Sequence, residues 1–503
     1  MSLGRAFSVA VRGVAGEIVE IEADITAGLP GVHLVGLPDA ALQESRDRVR
    51  AAIMNCGNSW PMSRLTLALS PATLPKMGSV YDVALAAAVL AANRKLAPAR
   101  LDKTVLLGEL ALDGRIRPVR GVLPAVLAAK RDGWPAAVVP TDNLAEAGLV
   151  DGLEVFGAGT LPQVQAWLNG AGELARGTGI DVDDLPAIPD LADVIGQPQA
   201  RFAVEVAAAG AHHLMLTGPP GIGKTMLAQR LPGLLPPLTE EEALEVTAIH
   251  SVAGLLSAAT PLITRPPFVA PHHTSSVAAL VGGGSGLARP GAVSRAHRGV
   301  LFLDECAEIG VRALEALRTP LEDGEIRLAR RDGVVIYPAR FQLVMAANPC
   351  PCAPADPRDC ICAAAAKRRY LGKLSGPLLD RVDLRVEMHP VRTKALTDEK
   401  GEPTQAVRER VARARAAAAE RWRRHGVRTN AEVSGSFLRQ RYRLGSDAMQ
   451  PLRKALDRGL VSVRGVDRTL RVAWTLADLA GRTQPGVEEV KAAMGFRQMG
   501  ADR

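Results

Sequence analysis

Eight consecutive residues restrict the fold of this chain more than anything else in it. Gly218, Pro219, Pro220, Gly221, Ile222, Gly223, Lys224 and Thr225 follow the apolar run Leu214-Met215-Leu216 and open a helix that includes Met226, Leu227 and Leu231. A strand, a glycine-rich turn and a helix in that order make a phosphate cradle. The glycines let the backbone curl so that successive N–H groups point inward, and the helix N-terminus adds a favourable dipole. A lysine at the seventh position reaches the β- and γ-phosphates, and the following hydroxyl serves a magnesium ion. The pattern therefore predicts an α/β core that binds ATP and Mg²⁺, with Lys224 and Thr225 as its principal side chains.

A length of 503 residues allows about three domains. No charged, then apolar, then small-residue leader opens the chain, and the alanine-rich run Val83 to Ala92 is far short of the ~20 residues of a membrane span. A cytoplasmic protein without a membrane partner is expected. The net charge of +8 is unevenly placed: residues 367 to 503 hold 30 Lys+Arg against 16 Asp+Glu. That imbalance suits a polyanion such as nucleic acid, and equally a solvated arginine-rich helical surface. Because only 3% of residues are aromatic, any nucleic-acid contact should run from arginine to phosphate rather than through base stacking.

The chain divides by pattern. Residues 1–168 alternate β-rich stretches (Ile18 to Glu22, Leu65 to Leu69, Ala136 to Val139) with helical ones (Asp39 to Met54, Tyr81 to Ala92), predicting an α/β or α+β domain. Residues 169–189, rich in Gly, Asp and Pro, read as a linker. A nucleotide-binding core over 190–392 follows, and 393–503 is helix-forming almost throughout, beginning with Gln405 to His425.

Within the core, Val300-Leu301-Phe302-Leu303 reads as a buried parallel strand that ends in Asp304 and Glu305. Carboxylates at that end face the nucleotide crevice. Asp304 is placed to hold the Mg²⁺ shell, and Glu305 to orient and deprotonate the attacking water. A second apolar strand, Phe341 to Ala347, ends in Asn348, whose amide can bond the γ-phosphate or the water. Further on, Arg381 stands between Asp380 and Asp383 after a turn.

These pieces together resemble AAA+ ATPases, specifically the magnesium-chelatase-like branch whose bacterial members are called YifB or ComM. The matching segments are Ala270 to Thr274, Val281 to Gly284, Arg289 to Gly291, Pro320 to Gly324, Asn348 to Cys352 and Tyr370 to Arg381. The resemblance implies a ring, in this family a hexamer, with a helical lid over the P-loop core. Asn348 would be the first sensor and Arg381 an arginine finger reaching the neighbouring subunit's site. The second sensor would be Arg464, at the start of a lid helix, or Arg471. Trp474 stands where this family's lid helix is expected to carry another arginine. The activity implied is ATP hydrolysis coupled to work on DNA, as a helicase or branch-migration motor, with chaperone-like remodelling of protein partners as the alternative.

Between Lys224 and Asp304 the chain is longer than a strand-helix-strand unit needs, and the excess, about 263–286, matches the helix-2 insert of this branch. His272 and His273 within it read more readily as loop hydrogen-bonders than as metal ligands. Glu325 to Arg330 and Val334 to Tyr337, joined across Asp332-Gly333, predict a β-hairpin with Arg330 and Arg331 at its tip. The resemblance would aim that hairpin into a central pore, where both arginines could follow a phosphate backbone. The other reading is two solvated turn residues. Four of six cysteines form two tight pairs, Cys350/Cys352 and Cys360/Cys362, open to three readings: a zinc site, reduced thiols or a redox pair.

The first 168 residues resemble the Lon-protease-like domain, through Leu74 to Asp82, Pro118 to Leu123 and Ala128 to Lys130. If these align, the protease serine falls at Val80 and its lysine at Leu123, and neither can act as nucleophile or base. Ser79 and Lys76 lie nearby. The fold expected is thus α/β: an AAA+ P-loop core with a helical lid, preceded by a catalytically dead Lon-like α+β domain acting as a collar.

Overall fold

A computed structural model describes residues 2–36, 39–177, 188–257, 259–284, 288–330, 333–390 and 401–498. The N-terminal region is built on a mixed sheet in the order β10-β9-β8-β5-β1-β2-β4-β3. Its strands are β1 (Ser2–Arg12), β2 (Ala15–Thr26), β3 (Gly31–Val35), β4 (Arg64–Ser70), β5 (Thr104–Leu106), β8 (Ala136–Pro140), β9 (Glu154–Ala158) and β10 (Ala175–Arg176), with a side ribbon of β6 (Glu109–Leu110) and β7 (Ile116–Arg117). Antiparallel pairing joins β1, β2 and β4, and parallel pairing joins β1, β5, β8 and β9. The helix Asp82–Ala92 is buried along nearly its whole length against this sheet, which is why it is almost entirely alanine, valine and leucine. Gly4 is required by that packing, since a Cβ there would lie 2.2 Å from Ala88 O. The sheet runs on through β10 to Arg176, inside the segment read from sequence as linker, and residues 178–187 of that segment lie outside the described residues.

The core sheet has the order β12-β15-β18-β11-β19, where β11 is Leu214–Thr217, β12 Phe268–Val269, β15 Val300–Leu303, β18 Gln342–Ala347 and β19 Leu384–Glu387. All four pairings are parallel, so both faces carry helices; the inner strand β15 is a continuous apolar run, while the edge strand β19 alternates buried Leu384 and Val386 with Arg385 and Glu387. Phe268 and Val269 lie opposite Val300 and Leu301. This corrects the insert assigned to 263–286: its first part is the edge strand of the core sheet, and the additional segment starts after Val269. That segment holds the short helix Val277–Val281 and a ribbon of β13 (Gly282–Gly283) with β14 (Arg289–Pro290).

The expected hairpin is present, with β16 (Glu325–Arg330) against β17 (Gly333–Pro338) and Arg330 opposite Gly333. The lid helices Thr404–Trp422 and Val463–Leu479 pack on the core helix Pro198–Gly210 and share one apolar cluster with the core strands. Trp474 lies in this cluster, edge-on to Trp422 and Tyr442 with the Arg421 guanidinium 4.5 Å from its ring centre. The lid helix spends this position on an aromatic core contact rather than on an arginine.

Candidate nucleotide-hydrolysis site

Parallel register decides which side chains meet. Thr217 pairs with Ala347, and Leu303 with Met345, so the residues following β11, β15 and β18 leave the sheet along one edge. The P-loop, Asp304 with Glu305, and Asn348 all start there. Gly218 has φ +157, and a Cβ on it would sit 2.4 Å from Ile222 Cδ1 and 2.6 Å from Met388 O. Gly223, at φ +94, is the left-handed residue from which helix Lys224–Leu234 begins.

Lys224 is only 8% exposed. Its Nζ donates to Gly218 O (2.6 Å), Pro219 O (2.7 Å) and Asn348 Oδ1 (3.0 Å), so the ammonium's three donors are all satisfied and Asn348 is tied to the loop. Burial lowers the Lys224 pKa, while the Asp304 and Glu305 charges pull it back up. Thr225 Oγ1 donates to Asp304 Oδ2 at 2.7 Å, and Asp304 Oδ1 accepts from the Glu305 N–H at 2.9 Å. A hydroxyl and a carboxylate converging beside a lysine form an all-oxygen donor set that fits a hard divalent cation such as Mg²⁺. Glu305 has φ +46, a strained value for a residue with a Cβ. Its exposed carboxylate lies 3.3 Å from Nδ1 of His273, which reaches it from the segment after β12.

Arg381 lies elsewhere. It precedes β19, whose Leu384 pairs with Leu214 at the start of β11, so it stands at the edge of the sheet opposite its own P-loop, beyond a four-residue strand of about 13 Å. It is 8% exposed, with Nη1 donating to Pro377 O at 2.6 Å and Nη2 paired with Glu322. The neighbouring lid is held to this turn: Arg468 Nη1 donates to Arg381 O (3.0 Å) and to Asp383 Oδ1 (2.8 Å). Asp383 also meets His212 Nδ1 at 3.1 Å, and His212 Nε2 meets Thr475 Oγ1 at 2.8 Å. Burial alone would raise the Asp383 pKa, but these partners hold the carboxyl well below the usual range. Of the two second-sensor candidates, Arg464 is exposed at the start of helix Val463–Leu479, and Arg471 is committed within the lid, its Nε donating to Val433 O at 2.7 Å. Sequence reasoning passed over Arg468, gave Glu322 no role within its motif, and read His273 as a loop hydrogen-bonder without naming Glu305 as its partner. All three lie within or beside motifs already singled out, but only their contacts identify them.

The hairpin residues differ from expectation. Arg330 is half-buried, its Nε enclosed with no hydrogen-bond partner among the described residues, and Arg331 lies outside the described residues. Instead of standing free, β17 rests on the β1–β2 turn of the N-terminal domain. A Cβ at Gly13 would meet Ile336 O at 2.6 Å, and one at Gly333 would meet Arg12 Nη2 at 2.1 Å. Val335 and Tyr337 pack with Ala288, Val14, Val252 and Leu328, and Arg330 Nη2 lies beside Gly283 of β13.

In the Lon-like domain, Val80 and Leu123 pack in one apolar cluster. The buried Lys76 donates to Pro71 O, and Ser79 pairs with Glu109. Among the described residues these two do not form a serine-lysine pair with each other.

The family model for magnesium chelatase subunit ChlI matches residues 190–396, a second ChlI model matches 21–143, and the ChlI C-terminal model matches 401–497. The chain is 79% identical over 504 residues to an uncharacterized protein of Mycobacterium tuberculosis, covering all of both chains. It is 42% identical over 481 residues to the uncharacterized protein YifB of Escherichia coli, covering 95% of this chain and 94% of the other. To the competence protein ComM of Haemophilus influenzae it is 40% identical over 508 residues, covering 99% and 98%. A partial likeness, 30% over 165 residues, to the Lon protease of Mycolicibacterium smegmatis fits the Lon-like N-terminal fold. No described helix is long and apolar enough to cross a membrane. With a P-loop, an acidic strand end and Asn348 on one edge of a parallel sheet, and with similarity running the length of the chain, this protein belongs to the YifB/ComM family of magnesium-chelatase-like AAA+ ATPases.

Proposed function

We propose that this chain is a cytoplasmic, Mg²⁺-dependent ATPase that works as a hexameric ring on DNA, as a helicase or branch-migration motor in recombination or in the processing of incoming DNA. The observation that carries the ring is the separation of Arg381 from its own P-loop by the length of β11 and β19. A site complete with its arginine then needs two subunits, and hydrolysis becomes tied to subunit contact.

In this reading Lys224 and the P-loop amides bind the phosphates of ATP, and Thr225 and Asp304 hold Mg²⁺. The ion, when bound, neutralises charge on the phosphates. Glu305 takes the proton of the attacking water, and Asn348 orients that water or the γ-phosphate. Arg381, freed from Glu322, stabilises charge on the neighbour's transferred phosphoryl group. Arg464, exposed at the start of its helix, is the proposed second sensor, with Arg471, already bonded within the lid, as the alternative.

DNA as the substrate is supported by the full-length similarity to a competence protein and by the excess of basic residues after position 367. Arg330 and Arg331 would contribute from the hairpin once it leaves its seat on the β1–β2 turn. The second reading, remodelling of a protein partner as a chelatase motor does, is favoured by the chelatase matches to core and lid. ATP turnover measured with single-stranded, duplex and branched DNA tests the first. Stimulation by one of these forms supports it, and indifference to all of them shifts the assignment to a protein substrate.

A further inference from the structure

We propose that Cys350, Cys352, Cys360 and Cys362 bind one structural Zn²⁺ ion as an all-thiolate tetrahedral site, which staples the loop that leaves the sensor strand. The sulfur geometry carries this. Cys350 and Cys352 Sγ are 3.5 Å apart, Cys352 and Cys360 3.6 Å, and Cys360 and Cys350 3.5 Å. All four sulfurs lie within 4.8 Å of one another. A tetrahedron with zinc–sulfur bonds of about 2.3 Å has edges of about 3.8 Å, so three of its edges are nearly in place. Disulfides join sulfurs two at a time at about 2.05 Å and do not produce an equilateral triangle of thiols with a fourth beside it. A cluster of several irons needs thiolates set farther apart than a single ion does.

Apart from the local Asp356–Arg358 pair and short backbone turns, the loop has little else to order it. From Pro349 to Ala363 its only regular element is the turn Pro357–Asp359, and Ile361, between two of the cysteines, is 91% exposed. Cys350 alone of the four is buried. A segment that buries so little apolar surface cannot offset its ordering entropy by packing, and a metal cross-link supplies what packing does not. The staple sits next to the chemistry: Asn348 precedes Cys350 by two residues, and the helix Ala364–Leu371 that follows Cys362 leads to the turn bearing Arg381. Each thiol loses its proton as its sulfur–zinc bond forms, so four protons leave for one ion and no redox change is involved.

The test uses the full-length chain, purified in reductant without a metal-binding tag. The expected result is about one zinc per chain by elemental analysis. Apoprotein titrated with Co²⁺ should give the intense visible bands of a tetrahedral thiolate complex at one equivalent, and native alkylation should spare these four cysteines while reaching them after zinc removal. Cys352→Ser with Cys362→Ser should lower bound zinc at least tenfold, while Cys56→Ser retains it. The proposal is overturned by protein that is metal-free as isolated and gives no cobalt spectrum, by iron in place of zinc, by disulfides within the cluster in the reduced preparation, or by zinc that persists in the double variant. If the double variant does not fold, zinc content, cobalt spectra and alkylation of the native chain still decide. None of these readouts depends on ATP turnover or DNA, so they stand apart from the motor assignment.

Discussion

His273 Nδ1 lies 3.3 Å from Glu305 Oε2, so the carboxylate that would activate water is met by a side chain from the segment after the neighbouring edge strand β12. The backbone of Glu305 is itself held at positive φ. His273→Ala should release the carboxylate and raise ATP turnover without DNA by up to about fivefold, the scale of one half-exposed polar contact. Steady-state assays compare this variant with the unsubstituted chain. Unchanged or lower turnover would remove His273 from any restraining role.

Glu305→Gln keeps the shape of the side chain and loses the base. Turnover should fall by roughly 10²-fold or more, the usual scale for loss of a general base, while binding of a fluorescent ATP analogue is retained. Normal hydrolysis by this variant would assign water activation elsewhere.

Arg381 and Lys224 belong to opposite edges of the same sheet. Arg381→Ala and Lys224→Ala chains should each be inactive alone and regain partial hydrolysis when mixed, because some interfaces then carry both residues intact. Native mass spectrometry establishes that mixed rings form. Absence of recovery in such rings would count against action in trans.

Arg330→Ala with Arg331→Ala should weaken DNA binding and lower the slope of log affinity against log salt by up to about 1.8 for two lost phosphate contacts. Basal ATPase should hold. Identical slopes for the two proteins would leave Arg330 as a packing residue at the domain contact and favour a protein substrate.

Asp383 joins His212 of the core to Arg468 of the lid. Asp383→Asn leaves the buried His212 and the part-buried Arg468 facing a neutral group and should cost about 3–5 kcal/mol, read as an earlier thermal transition. Since the folded-state pKa is depressed, the carboxylate's stabilisation is fully present above its unfolded value of about 3.9 and is lost as pH falls below it. Denaturation measured between neutral pH and pH 3 should show that acid loss in the native chain and much less of it in the Asn variant.

What could be read from the chain alone is what a few neighbouring residues impose by themselves. The P-loop needs glycines, a lysine and a threonine in one order. Asp304, Glu305 and Asn348 each close an apolar run, and Asp332-Gly333 marks a hairpin whether or not anything covers it. The cysteines declared a cluster through their spacing, but spacing left zinc, thiols and redox chemistry open, and the ground for proposing zinc is the sulfur triangle, which only the tertiary structure supplies. Contacts between distant segments were decided in three dimensions. Phe268 and Val269 are too short a run to announce a strand, and become one because β15 offers its edge. Arg381 pairs with Glu322, His273 meets Glu305 from the neighbouring strand's end, and Arg330 is half-buried on a hairpin seated against the N-terminal domain. Each of these depends on burial and on partners far away in sequence, whose proximity is set by the closing of the whole core, whereas the local motifs draw their meaning from backbone geometry within a single turn.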